Sequence, residues 1–130
     1  MDFSLTEEHK MIQQAARDFA QNELLPGVIE RDEKQIFPAE QVKKMGELGF
    51  MGMMVDPKYG GSGLDTITYV LAMEEISKVD ASASVCMSVN NSLVCWGLEH
   101  FGTEEQKQKY LVPLAKGEKI GAFCLSEPEA

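Results

Sequence analysis

The sequence has little that would staple it, carry it through a bilayer or draw it to a polyanion. There are three cysteines, Cys86, Cys95 and Cys124. An odd number, widely spaced and with no Cys-x-x-Cys pair, suggests neither a disulfide framework nor a zinc site. They read as reduced, mostly buried thiols of a cytoplasmic protein. His9 and His100 are the only histidines and lie far apart, so no metal site is expected. No apolar run reaches the ~20 residues that span a bilayer. The longest candidate, Val85 to Leu98, is interrupted by Asn90 and Asn91. The opening Met1-Asp2-Phe3-Ser4 lacks the basic and apolar regions of a signal peptide. Positive charge is scarce too: 12 Lys and Arg face 21 Asp and Glu, for a net charge of -9. Such a chain repels phosphate backbones, which argues against nucleic acid and anionic membrane surfaces as partners.

Apolar residues are what the chain has in quantity, at 44% of its 130 residues. That suffices for one small domain with a real core. Ser4-Leu5-Thr6-Glu7 fits a capping box opening a first helix. Ile12, Ala15, Ala16 and Phe19 give its apolar stripe, and Pro26-Gly27 ends it. A short second helix covers Val28 to Glu33. Pro38 suits the start of a third, with Val42, Met45 and Leu48 inward and Gly49 as its C-terminal cap. The Met-rich run Phe50 to Val55 leads into the loop Asp56 to Gly63. A fourth helix from Asp65 or Thr66 carries Ile67, Val70, Leu71, Met73 and Ile76 around most of its circumference. A fifth, from about Ala81 to His100, is apolar nearly all round. Both are therefore expected to be largely buried. Thr103-Glu104-Glu105-Gln106 is another capping box, followed by the stripe Tyr110, Leu111 and Leu114. Pro113 should bend or shorten that helix and Gly117 should close it.

Ile120 to Leu125 reads as one strand. The predicted fold is therefore all-α, five to six helices with one C-terminal β-strand. Residues 1–118 form the helical domain and residues 119–130 open a truncated β domain. A lone strand exposes a row of amides and carbonyls. The expectation is that its partners lie beyond residue 130, and that the chain self-associates through this edge or is locally disordered there.

Three stretches resemble the acyl-CoA dehydrogenase family. They are Asp56-Pro57-Lys58-Tyr59-Gly60-Gly61-Ser62-Gly63; Phe101-Gly102-Thr103-Glu104-Glu105-Gln106-Lys107 with Tyr110-Leu111-Val112-Pro113-Leu114; and Gly121-Ala122-Phe123-Cys124-Leu125-Ser126-Glu127-Pro128-Glu129-Ala130. In the family the last pattern continues with Gly-Ser-Asp. The resemblance covers essentially the whole chain and implies the N-terminal helical domain of a three-domain, tetrameric flavoprotein. It implies FAD as cofactor, an acyl-CoA of short chain length as substrate, and an electron-transfer flavoprotein as acceptor. In that reaction a glutamate removes the α-proton while the β-hydride passes to flavin N5. The glutamate belongs to the family's C-terminal domain, so no catalytic residue is assigned here and this chain alone is expected to be inactive.

The same resemblance implies two groups of site residues. Phe123, Leu125 and Ser126 would sit against the flavin, with the Ser126 hydroxyl near N5. Hydride transfer puts negative charge on the flavin, which a hydroxyl and backbone amides stabilise. Val89, Asn90 and Leu93 would line the acyl chain on the fifth helix. Taken by themselves, Ser126 can end a strand, Val89 and Leu93 can be plain core, and Asn90 can serve a structural hydrogen bond. Gly60-Gly61-Ser62-Gly63 lacks the Gly-Lys-Ser/Thr of a phosphate-binding loop and reads as a turn. Two other readings remain open: a non-catalytic helical interaction module, and part of a related acyl-CoA oxidase.

Overall fold

A computed structural model describes residues 4–129. Helix α1 (Glu7–Phe19) runs on without a break into a wider π-helical turn, Ala20–Leu24. Its capping box is built by Thr6 and His9, two residues further along than the predicted Ser4 and Glu7. The motif needs an extended residue three places before a side chain that reaches back, and Thr6 supplies that backbone. Gly27, at φ 77°, turns the chain into α2 (Val28–Glu33). This short helix buries no residue. Arg31 holds it in place, donating to the carbonyls of Leu24 (2.5 Å) and Pro26 (2.9 Å) and to Asp80 (3.2 Å).

Helix α3 (Ala39–Glu47) turns Val42 and Met45 inward, but Leu48, its predicted companion, is exposed. The Met-rich run then passes through the centre of the molecule. Met51, Met53 and Val55 are buried in it. The glycine loop folds back along the run: Ser62, Gly63 and Leu64 donate backbone hydrogen bonds to Gly52, Val55 and Met53. That supports its reading as a structural turn.

Helix α4 (Thr66–Ser77) is capped by Asp65 and packs on α1. Buried Glu75 of α4 receives both arms of the Arg17 guanidinium at 3.0 Å, which pulls its carboxyl down to about 2. Helix α5 (Ala81–Ser88), a π turn (Val89–Cys95) and α6 (Trp96–Phe101) form one continuous rod. A last rod joins α7 (Glu104–Gln106), a π turn (Lys107–Leu111) and α8 (Val112–Ala115). Its capping box is the predicted one, Thr103 with Gln106. The π turn lies just before Pro113, where a missing amide N–H interrupts the regular ladder. It leaves Leu111 and Leu114 buried while Tyr110 faces out.

The helices meet over a main core that includes Phe19, Leu24, Met45, Met51, Met53, Ile76 and Met87. A second cluster lies around Val55, Tyr59, Cys95, Leu111 and Leu114. At the seam Gly46 and Gly117 touch: a Cβ on Gly46 would stand 2.8 Å from the Gly117 Cα.

Two expectations are overturned. Among the described residues there is no β-strand, and Ile120 to Leu125 forms no regular secondary structure. A strand exists only by pairing, and no second strand lies beside this one. The fold is all-α. Nor are the fourth and fifth helices buried all round. Ile67 and Val70 of α4, and Val85, Leu93 and Trp96 of the long rod, are exposed. Each rod has one apolar face turned inward and a second that this chain does not cover.

Candidate functional site

The candidate residues fall on two places, the π turn Val89–Cys95 and the irregular segment after residue 119. A π turn closes i→i+5 hydrogen bonds instead of i→i+4, and such turns inside α-helices recur at functional sites. The wider turn brings successive side chains closer in direction, which lets Asn90 and Asn91 both point inward. Both are buried. The Asn91 carboxamide accepts from the Met53 amide (2.8 Å) and donates to the Phe50 (2.8 Å) and Met87 (3.0 Å) carbonyls. Asn90 donates to the Met51 (2.8 Å) and Leu114 (3.1 Å) carbonyls and accepts from the Gly121 amide (2.8 Å).

The predicted trio on this helix is therefore split. Val89 is half-buried and Leu93 is 44% exposed, one turn apart, while Asn90, the next residue round the helix, is 0% exposed and turned to the core. Val85 and Trp96 extend the outer pair into a stripe at residues 85, 89, 93 and 96, the spacing of one helical face. Trp96 also stacks on His100, ring centroids 4.4 Å apart, and meets Phe101 edge-on at 5.7 Å. Sequence reasoning placed Val85 and Trp96 in the core. Their spacing is visible in the sequence, but in a helix apolar all round nothing marks which face stays open. On the inner face Cys95 is sealed off, and burial pushes its thiol up to about 12.

The second group follows Gly121. Phe123 is 54% exposed, Leu125 76%, and Ser126 is exposed as well. Among the described residues the amides of 122–127 and 129 find no hydrogen-bond acceptor elsewhere in the chain. The segment thus presents a hydroxyl, free amide donors and two large apolar side chains to whatever lies against it. The two candidate groups meet at one point, where the Gly121 amide reaches Asn90, two residues before Phe123.

Other chemistry is thin. Among the described residues no three His, Cys, Asp or Glu side chains converge as a metal site. No helix there is long and apolar enough to cross a membrane. A groove of about 710 Å³ lies between α2 and the start of α5, lined by Ile29, Ile36, Phe37 and Val79 among others. Its lining reaches Cys86, three residues before Val89 on the same rod, but includes none of the candidate residues.

Comparison with known proteins matches residues 6–118 to the family model described as acyl-CoA dehydrogenase, N-terminal domain. A curated relative from Clostridium acetobutylicum, the short-chain specific acyl-CoA dehydrogenase, is 52% identical over 130 residues. The match takes in 100% of this chain and 34% of the relative, so the chain spans about a third of the relative's length. Among solved structures, a chain from a study of the electron transferring flavoprotein of Acidaminococcus fermentans superposes with a TM-score of 0.96 at 50% identity. It is covered to 34% by the whole of this chain. A glutaryl-CoA dehydrogenase from Mycobacterium smegmatis in complex with FADH2 gives a TM-score of 0.91 at 34% identity, with 97% of this chain and 32% of that one covered.

Proposed function

The chain belongs to the acyl-CoA dehydrogenase family, of which it carries the N-terminal domain, and from that premise we propose that it forms one wall of a flavin-dependent dehydrogenase for short-chain acyl-CoA. One observation carries the reading. An uncovered apolar stripe on a π-turned helix is joined by a hydrogen bond to an irregular, exposed segment rich in free donors. Val89 and Leu93 line the acyl chain from the stripe. Each methylene they cover contributes about 0.8 kcal/mol of binding. Phe123 and Leu125 pack against the flavin ring, and the Ser126 hydroxyl and neighbouring amides donate towards it.

The donor set fits that cofactor. Reduction leaves negative charge on the ring, and uncommitted N–H and O–H groups stabilise it without rearranging. FAD, when bound, supplies the hydride acceptor. This chain offers binding, orientation and hydrogen-bond donors, and the base that takes the α-proton is proposed to lie outside it. The boundary near residue 118 marks where the helical domain hands over to the flavin-facing segment. The short-chain preference is supported by the Clostridium relative. An electron-transfer flavoprotein as acceptor is supported by the Acidaminococcus structure. The tetrameric state and cytoplasmic location of the parent protein belong to the same reading, the latter supported by three free thiols.

The test uses a protein that carries this chain together with the two domains its relatives have. Leu93→Ala should raise kcat/KM for octanoyl-CoA relative to butyryl-CoA by about tenfold, the size of a one- or two-methylene pocket effect. Ser126→Ala should slow flavin reduction. The 130-residue chain alone should leave acyl-CoA unoxidised. Flavin reduction by butyryl-CoA with this chain alone, or an unchanged chain-length profile in Leu93→Ala, would refute the assignment.

A further inference from the structure

We propose that Asn90 is a positioning residue that ties the flavin-facing segment to the acyl-wall helix and so sets where Phe123, Leu125 and Ser126 stand. The inference rests on the reading of those two groups given above.

A carboxamide has two N–H donors and one carbonyl oxygen. In Asn90 both donors are taken, by the Met51 and Leu114 carbonyls. The side chain is fully buried, so it has no donor left for a substrate and no surface to touch one. What remains is the oxygen, and it accepts the Gly121 amide at 2.8 Å. The oxygen's place is set by three elements at once: the π turn that carries Asn90, the Met-rich run at Met51, and the end of α8 at Leu114. Gly121 is thereby referred to the rigid centre of the domain.

Gly121 itself gives a second, independent observation. A Cβ there would stand 2.7 Å from one Val94 methyl and 2.8 Å from the Val94 Cβ. Only a residue without a side chain brings the backbone close enough to the π turn to reach Asn90. Val94 follows Asn90 by one turn, so both contacts come from the same stretch of helix. Beyond Gly121 the chain is exposed, and among the described residues no other hydrogen bond from 120–129 returns to the helices. The segment is pinned at one point, two residues before the first flavin-facing side chain.

Amide hydrogen exchange on the 130-residue chain, with no flavin present, tests the tether. After correction for intrinsic rates, Gly121 should exchange about fivefold more slowly than Ala122 and Phe123, as one net hydrogen bond implies. Gly121→Ala should abolish that protection while the amides of Ala83 and Met87 keep theirs, because both Asn90 donors stay in place. Asn90→Ala should expose Gly121 more than it exposes Ala83 and Met87; a merely structural residue would move all three together. In the flavin-loaded parent protein, Gly121→Ala should shift the visible circular dichroism of the bound flavin. Equal exchange at Gly121 and Ala122 in the unmodified chain, or protection that survives both substitutions, would overturn the tether. Lost protection with an unchanged flavin spectrum would overturn its role in placing the flavin-facing groups. A parent protein that holds no flavin would sink the functional reading instead, and the exchange pattern would still decide the tether.

Discussion

Replacing Asn91 by leucine isolates the energetic role of the buried asparagine pair. The side chains are similar in size, so packing changes little. Three backbone groups lose their partner: the Met53 amide and the carbonyls of Phe50 and Met87. They belong to residues that are nearly or wholly buried, so water does not replace the bonds. Each orphaned group costs about 1–3 kcal/mol. Burying the leucine returns about 2 kcal/mol. The balance is a loss of about 1–7 kcal/mol, centred on about 4 kcal/mol, against a total stability of about 7–20 kcal/mol for a chain of this length. Urea unfolding followed by circular dichroism should show a midpoint lowered by about 1–2 M with an unchanged slope. Thermal unfolding should move down by about 10 °C. Asn22→Leu, at an exposed position of α1's π turn, is the control and should stay within about 0.5 kcal/mol. A loss below about 1 kcal/mol for Asn91→Leu would refute the claim that this carboxamide satisfies the Met-rich run.

Acid should act through Glu75 and Asp65. Both carboxyls stand at about 2: Arg17 holds Glu75 down, and the Thr68 amide and hydroxyl hold Asp65 down. Folded-state values depressed below the unfolded ones add stability that is fully present above about pH 5. That stability is lost as pH falls from there towards 2. Glu75→Gln should therefore be less stable than the natural chain at pH 7 and converge on it near pH 2, which parallel denaturation curves would show. A gap of constant size across that range would count against the ion pair. Gly117→Ala meets both a backbone at φ 71° and the Gly46 backbone. It should cost more than about 2 kcal/mol, and an unshifted melting curve would contradict the close contact. Among the thiols, exposed Cys124 should react first with an aromatic disulfide reagent. Cys95 should react only on unfolding, because it is buried and its thiolate is disfavoured. Prompt modification of all three cysteines in the native state would argue against the second core cluster.

Short-range chemistry was the most legible part of the sequence. The bounds Val28 to Glu33, the Thr103–Gln106 capping box and the chain reversals at Gly27 and Gly49 all follow from residues within one turn of each other. The family is legible for a related reason, since its three motifs are local strings. Burial is different. Which side of an all-apolar helix faces the core depends on what packs against it, so Val85, Leu93 and Trp96 read as core and stand at the surface. Strand structure is relational as well. Ile120 to Leu125 has strand composition but no partner strand, and its backbone stays unpaired. The sequence by itself thus determined the order of the helices, the loop positions and the family. Only the tertiary structure decided that Asn90 turns inward, away from Val89 and Leu93, and reaches Gly121 across 31 residues. That contact needs a π turn, a glycine and a helix end brought together from three parts of the chain, and no local pattern encodes such a meeting.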